Sequence, residues 1–327
     1  MDNLTHTAVG FFLSRAGLNR WTPAATPILL LAANAPDIDV VMAAGGSLNY
    51  IQYHRHLTHS LIAMPVIAAA CVLLVRLFWR KEFPWAAGFL AALIGLASHL
   101  LLDWTNAYGI RLLLPFSDSW YRLDVNSVVD LWIWAALLLG IAGPFLARLV
   151  AGEITSGTLR VRYPGRGGAV FALSFLLLYD CGRGVLHARA TAILESRIYR
   201  GVAPSRVAAM PDLINPLHWR GLVETADFYV VPEINLAGEF DPTRAEVIPK
   251  PDPDPAIDAA SRTVTFREFL RFVQYPLWRV LVVPDREGAK EVRLMDLRFG
   301  TFMARAVVDA RGKVSNESFT LGLSPPK

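Results

Sequence analysis

The sequence predicts a mainly α protein, a polytopic helical membrane domain followed by a small mixed α+β or β-rich extramembrane domain. Three observations predict it. Of 327 residues, 54% are hydrophobic and only 18% are charged, a balance far from that of a soluble globular chain. The apolar residues gather in blocks near the roughly 20 residues that cross a ~30 Å hydrocarbon layer. After Leu186 the composition turns mixed and proline-rich. The predicted division is therefore a membrane domain over 1–186 and an extramembrane domain over 187–327.

Taken in order, residues 5–21 and 22–44 carry apolar stretches too short for comfortable spans, which predicts an N-terminal re-entrant or interfacial helical hairpin with Arg15 and Arg20 at its inner end. Spans are expected at Leu61–Trp79, Trp85–Leu102 and Val128–Val150. A fourth, Ala169–Leu178, is short before Asp180 and Arg183 and spans only if it extends to about Leu186 or the bilayer thins. No basic segment precedes an apolar core at the N-terminus, so insertion is expected to rely on internal spans. The loop holding Arg76, Arg80 and Lys81 and the loop holding Arg148, Arg160, Arg162 and Arg166 read as cytoplasmic by the positive-inside rule. The intervening loop, with four aspartates against two arginines over residues 103–130, then lies outside, as do the histidine-rich stretch at 54–60 and the C-terminal domain.

In that domain "WRVLVVP" and "VRLMDLRFG" alternate at the strand period between proline and glycine punctuation, after a helical "GVLHARATAILESRIY". The two cysteines, Cys71 and Cys181, both lie in apolar blocks, which offers neither a disulfide framework nor a CxxC metal site. Any metal must use nitrogen and oxygen donors. A net charge of +4 without a dense basic run excludes nucleic acid as the expected partner and leaves membrane lipids. The oligomeric state is not legible.

The polar groups that cost most to place in an apolar setting fall in four strings. "THT" supplies His6, "NAPDID" supplies Asp37 and Asp39, "HRHLTHS" supplies His54, His56 and His59, and "SHLLLDWTN" supplies His99 and Asp103. An Asp near the centre of a membrane helix costs about 2.5–3.5 kcal/mol on the insertion scale, so such groups persist where they pair or bind something. His99 and Asp103 are four apart and share one helical face, and imidazole and carboxylate on one face are ligand geometry. His56 and His59, three apart, share a face if a helix begins near His56. Each string has a plainer reading: an interfacial His6, a helix-end hydrogen bond at His99, a capping turn at Asp37 and Asp39, or a solvated basic loop at 54–60. Arg55 reads either as a clamp for phosphate or carboxylate, or as a headgroup anchor. The coincidence of the strings on one predicted side favours a metal-linked site.

The strings "LTHTAVG", "ANAPDIDVV", "YHRHLTHSL" and "GLASHLLLDWTNAYGIRLLLPFS" together resemble the bacterial inner-membrane metal-dependent hydrolase family known as domain of unknown function 457, over roughly residues 1–185. The resemblance implies a multi-pass protein of the bacterial inner membrane, a hydrolase activity without a defined substrate, and a metal set of His6, Asp37, Asp39, His56, His59, His99 and Asp103. The donor set suits Zn²⁺, with Mn²⁺ or Fe²⁺ as alternatives. In that chemistry Asp37 or Asp39 accepts a proton and Arg55 offsets charge on a phosphoryl oxygen. A site at the outer interface meets lipid headgroups or lipid-linked envelope intermediates first, so the expected substrate is a phosphoester of a lipid or lipid-like molecule. Cleavage of an amide or ester stands beside it, as does a non-catalytic metal protein or a transporter with a structural His/Asp site.

Overall fold

The computed structural model describes residues 1–154, 165–284 and 286–322, and side chains for all of these except 147–154. Arg160 and Arg162 of the second basic loop, and the side chain of Arg148, lie outside the described residues. About half of the described chain is helical. The helices are α1 (Asn3–Ala16), α2 (Ala25–Asn34), α3 (Ser47–Tyr53), α4 (Met64–Phe78), α5 (Trp85–Thr105), α6 (Leu131–Ile154), α7 (Arg166–Glu195), α8 (Pro255–Ser261) and α9 (Val264–Leu270). Nine strands follow α7: β1 (Arg206–Pro211), β2 (His218–Glu224), β3 (Phe228–Val231), β4 (Glu233–Asn235), β5 (Glu246–Pro249), β6 (Pro276–Val282), β7 (Lys290–Asp296), β8 (Phe302–Val308) and β9 (Val314–Leu321).

The chain divides into two compact units, and the division is not a single cut at residue 186. The first unit holds Met1–Ile38, Arg55–His187 and Pro211–Pro216, and the second holds Asp39–His54, Ala188–Met210 and Leu217–Lys327. The segment Asp39–His54, expected in the membrane domain, thus groups with the C-terminal strands, where α3 packs against α9 and β9.

In the first unit α2 is the central element, packed against α1, α4 and α5. Its residues Ile28, Leu29, Ala32 and Ala33 are fully buried, which explains why the segment is apolar on all sides yet only 10 residues long. Two glycines set the close approach. A Cβ on Gly10 of α1 would lie 2.8 Å from the Leu29 carbonyl oxygen and 2.9 Å from the Ala33 Cβ, and one on Gly95 of α5 would lie 3.0 Å from the Ala32 Cβ. Small residues let helices in lipid approach until backbone meets backbone. One turn beyond each glycine, on the same face, stands a histidine: His6 before Gly10 and His99 after Gly95. Asp2 caps α1 by accepting from the amides of Leu4 and Thr5, and Asp130 caps α6 by accepting from those of Trp132 and Ile133.

Among the described residues two helices, Trp85–Thr105 and Arg166–Glu195, are long and apolar enough to cross a membrane, or up to four spans exist if each of two broken helix pairs counts as one. The expected span Leu61–Trp79 is a helix of 15 residues, short for a crossing by itself. The segment read as the weakest span is instead the longest helix, 30 residues without a break. Its charges do not end it because partners satisfy them. Asn126 donates to Asp180 Oδ1 at 2.7 Å, and the buried Arg183 donates to the carbonyl oxygens of Val125 and Pro216, each at 2.8 Å. "GVLHARATAILE" is the last part of this same helix rather than a separate element.

The second unit carries two antiparallel sheets. One runs β1-β2-β3-β5 with β4 paired to β2, and the other is the meander β6-β7-β8-β9. Alternation in "WRVLVVP" and "VRLMDLRFG" thus marks β6 and β7, registered Trp278 to Leu294 and Val280 to Val292. Phe266, Phe269, Phe272 and Trp219 are buried within this unit.

Candidate metal centre

Four donor atoms from three elements of the first unit converge at the C-terminal end of α5. His99 and Asp103 come from α5 itself, on one face, as their spacing requires. His59 ends a short 3₁₀ turn, Leu57–His59, and Asp37 follows the end of α2. His59 Nε2 lies 3.1 Å from His99 Nε2, 3.4 Å from Asp37 Oδ1 and 3.4 Å from Asp103 Oδ2. His99 Nε2 lies 3.3 Å from Asp103 Oδ2 and 3.7 Å from Asp37 Oδ1. All four donors fall within 4.8 Å of one another. A tetrahedral ion with bonds of about 2.0–2.1 Å has ligand-to-ligand edges of about 3.3–3.4 Å. The observed edges bracket that value.

Three further features fit a cation. His99 Nδ1 lies 2.7 Å from the Ala33 carbonyl oxygen. A carbonyl only accepts, so the neutral ring carries its proton on Nδ1 and turns the Nε2 lone pair into the cluster. His59 Nδ1 lies 3.1 Å from the Thr58 hydroxyl, which can either donate or accept. Asp103 is fully buried, yet its Oδ2 has no hydrogen-bond partner. A buried carboxylate oxygen facing two imidazoles and no hydrogen-bond donor is costly unless a cation takes its charge.

The other carboxylate oxygen of Asp103 is fully engaged. Oδ1 accepts from Arg55 Nη2 at 2.8 Å and contacts the Met1 amino group. Arg55 is itself buried, and its Nη1 donates to Asn106 Oδ1 and the Gly109 carbonyl oxygen, each at 3.1 Å. Its backbone sits at φ 56°, in the left-handed region, and Tyr108 lies under the guanidinium at 4.8 Å. The arginine read as a substrate clamp therefore faces the protein interior and orients Asp103.

His6 stands beside the donor set. Its ring stacks on His99 with centroids 3.8 Å apart, its Nε2 lies 3.4 Å from Asp103 Oδ1, and neither ring nitrogen has a hydrogen-bond partner although the residue is buried. Asp39 and His56 are not in the four-donor group. Asp39 belongs to the second unit, where it pairs with His54 Nδ1 at 2.8 Å. His56 precedes the 3₁₀ turn and is half-buried; that turn replaces the helix on which His56 and His59 would have shared a face. The groups missed in the sequence are Thr58 and the Ala33 carbonyl. Gly10 and Gly95, at i±4 from His6 and His99, are the signal that α2 approaches closely enough to supply the carbonyl.

A helical membrane unit with a buried two-histidine, two-aspartate cluster that can hold a metal defines the class of this protein. Within that class the chain belongs to the YdjM inner membrane protein family, whose sequence profile matches residues 1–190, the membership that the four strings imply. The uncharacterized protein YfhP of Bacillus subtilis (strain 168) is 24% identical over 314 residues, covering 91% of this chain and 87% of YfhP. No solved structure matches.

Proposed function

We propose that this chain is a membrane-bound metal-dependent hydrolase that cleaves a phosphoester of a lipid or lipid-like substrate, with Asp37, His59, His99 and Asp103 as metal ligands. The observation that carries the reading is the buried imidazole of His6, without a hydrogen bond and stacked on His99, beside a two-histidine, two-aspartate cluster with an unpartnered carboxylate oxygen. A divalent ion bound there, Zn²⁺ before Mn²⁺ or Fe²⁺ for this donor set, polarises a phosphoryl oxygen and lowers the pKa of water. The chain's own groups do the rest. His99 presents a lone pair because the Ala33 carbonyl holds its other nitrogen, His59 Nδ1 is anchored at the Thr58 hydroxyl, and Arg55 balances the charge of Asp103. Hydrolysis forms a bond from water oxygen to phosphorus, breaks the bond to the alcohol and returns a proton to the alcohol oxygen. In this reading His6, the buried imidazole without a hydrogen bond, carries that proton. The basic loop at residues 80–81 precedes α5 and the cluster ends it, which supports an outer-side site. The outer placement of the C-terminal domain rests on the same rule.

The test is phosphate release from lipid phosphates and phospholipids in proteoliposomes, with protein stripped by chelator and then reloaded with zinc or manganese. Release that requires reloading and is abolished in His99→Ala supports the hydrolase. Stoichiometric metal whose removal lowers Tm, with no release from any substrate, replaces it with a structural metal, the reading that a closed four-ligand shell favours.

A further inference from the structure

His6, beside the donor cluster, stands near the start of α1, and Arg15 stands in its last turn, about 14 Å further along the axis. At that far end α1, α6 and the residue before α7 border a cleft of about 340 Å³, inside the range of roughly 300–1,000 Å³ typical of ligand pockets. Phe11 and Arg15 line it from α1, Ile141, Pro144 and Phe145 from α6, and Gly165 at the entry to α7. Its lining is of two kinds. Ile141 and Phe145 are more than half exposed and Phe11 is half-buried, which gives an outward wall of carbon. Arg15, also half-buried, lies over the Phe11 ring at 5.1 Å and brings a guanidinium to that wall.

Charge at this end has one sign. Residues 11–20, 140–146 and 165–173 hold Arg15, Arg20 and Arg166 and no acidic residue. Arg166 is engaged with the backbone, since its Nε donates to the Ala16 carbonyl oxygen at 3.1 Å. The Gly17 amide bonds the Leu13 and Ser14 carbonyls, so the end of α1 is closed without Arg15. Arg15 is left with no acidic partner among the described residues. α7 starts at the same end with no acidic residue in its first turn, so the positive pole of a 30-residue helix adds to the arginines. Cationic groups over a carbon wall complement a phosphate joined to an acyl chain. Basic pockets between membrane helices at the cytoplasmic side hold anionic headgroups, and the positive-inside rule makes this arginine-bearing end the cytoplasmic one.

We infer that the cleft between α1 and α6 binds one anionic phospholipid of the cytoplasmic leaflet, its phosphate on Arg15 and an acyl chain along Phe11, Ile141 and Phe145. The lipid ties the last turn of α1 to α6. The site is separate from the metal centre and independent of the hydrolase reading.

The test is native mass spectrometry of the full chain in detergent, delipidated and then offered phosphatidylglycerol or phosphatidylethanolamine of the same acyl length. The parent is expected to hold about one phosphatidylglycerol, preferred about fivefold over phosphatidylethanolamine, the worth of one basic residue beside an anionic lipid. Arg15→Gln should erase the preference, and Arg15→Lys, which keeps the charge, should retain it. Ile141→Glu sets a carboxylate on the α6 wall at an exposed position and should erase the preference with Arg15 in place, which keeps the inference testable if Arg15→Gln fails to fold. Arg20→Gln, at an exposed position outside the cleft, and His99→Ala should both bind as the parent does. A parent without headgroup preference overturns the inference, as does a preference that survives in both Arg15→Gln and Ile141→Glu. Equal loss in Arg20→Gln replaces the cleft with diffuse attraction to a basic surface, and displacement of the lipid by millimolar glycerol phosphate replaces the lipid with a soluble phosphate; either result also overturns it.

Discussion

The string "HRHLTHS" feeds two histidine–aspartate sets with opposite outcomes. In the second unit His54 and Asp39 meet in a direct hydrogen bond at 2.8 Å, with Tyr50 stacked on the imidazole at 4.5 Å. Five residues on, His59 enters a set in which two imidazoles and two carboxylates converge and one carboxylate oxygen finds no donor. The same residue types hydrogen-bond directly in one place and leave a buried carboxylate oxygen without a partner in the other. What separates them is the ratio of donors to acceptors, so a buried cluster that its own protons cannot satisfy is the better pointer to a cation than histidine density.

That contrast is broken most directly by removing ligands. His99→Ala and Asp103→Asn should abolish stoichiometric metal binding by calorimetric titration, whereas His54→Ala and Asp39→Asn should leave it unchanged and cost no more than about 1 kcal/mol of stability. Loss of metal in the His54 variant would erase the distinction. A smaller effect is expected at Arg55. Arg55→Lys keeps the charge but not the fork that bridges Asp103, Asn106 and Gly109, and should weaken metal affinity about 10–100-fold, as loss of groups that orient ligands does. An arginine acting on substrate would instead raise KM with metal affinity intact.

Gly10→Ala tests the helix approach that brings the Ala33 carbonyl to His99. Its new methyl must displace backbone at 2.8 Å, and we expect a net loss of about 1 kcal/mol in thermal or denaturant unfolding, despite the roughly 1 kcal/mol that alanine gains over glycine in a helix.

The smallest effect belongs to the self-satisfied charges of the second unit. Burial pushes the Glu224 carboxyl up, but hydrogen bonds and charge from Lys250 and Arg206 outweigh it and hold the group below its ordinary value of 4.5. A lowered carboxylate contributes stability that is complete above the unfolded value and drains away as pH falls through the folded one. Lys250→Met should therefore flatten the acid limb of a stability profile below about pH 4.5, by less than about 1 kcal/mol for so accessible a group. An unchanged acid limb would show that the pair adds nothing.

Legibility in the sequence followed local periodicity. His99 and Asp103 were readable as a ligand pair because a helix fixes i and i+4 on one face. Asp37 was readable because a carboxylate beside an apolar segment needs a reason to be there. The strands β6 and β7 showed in alternation. The assignment of His54, His56 and His59 was not readable, because the chain there passes through a left-handed Arg55 and a single 3₁₀ turn, where no repeat sets direction. Arg55 looked outward because its partner Asp103 lies 48 residues away. The continuity of α7 was hidden for the same reason: the partners of Asp180 and Arg183 come from residues 125–126 and 216, and hydropathy sees the charges without them.

Metal occupancy of the four-donor cluster underlies both the proposed chemistry and the contrast between the two histidine–aspartate sets. Its most direct test is elemental mass spectrometry of the full chain purified in detergent without added metal or chelator. The parent is expected to carry about one equivalent of a divalent transition metal per chain, absent from a His59→Ala/His99→Ala variant of unchanged fold. A metal-free parent that takes up neither zinc, manganese nor iron when each is supplied would contradict it.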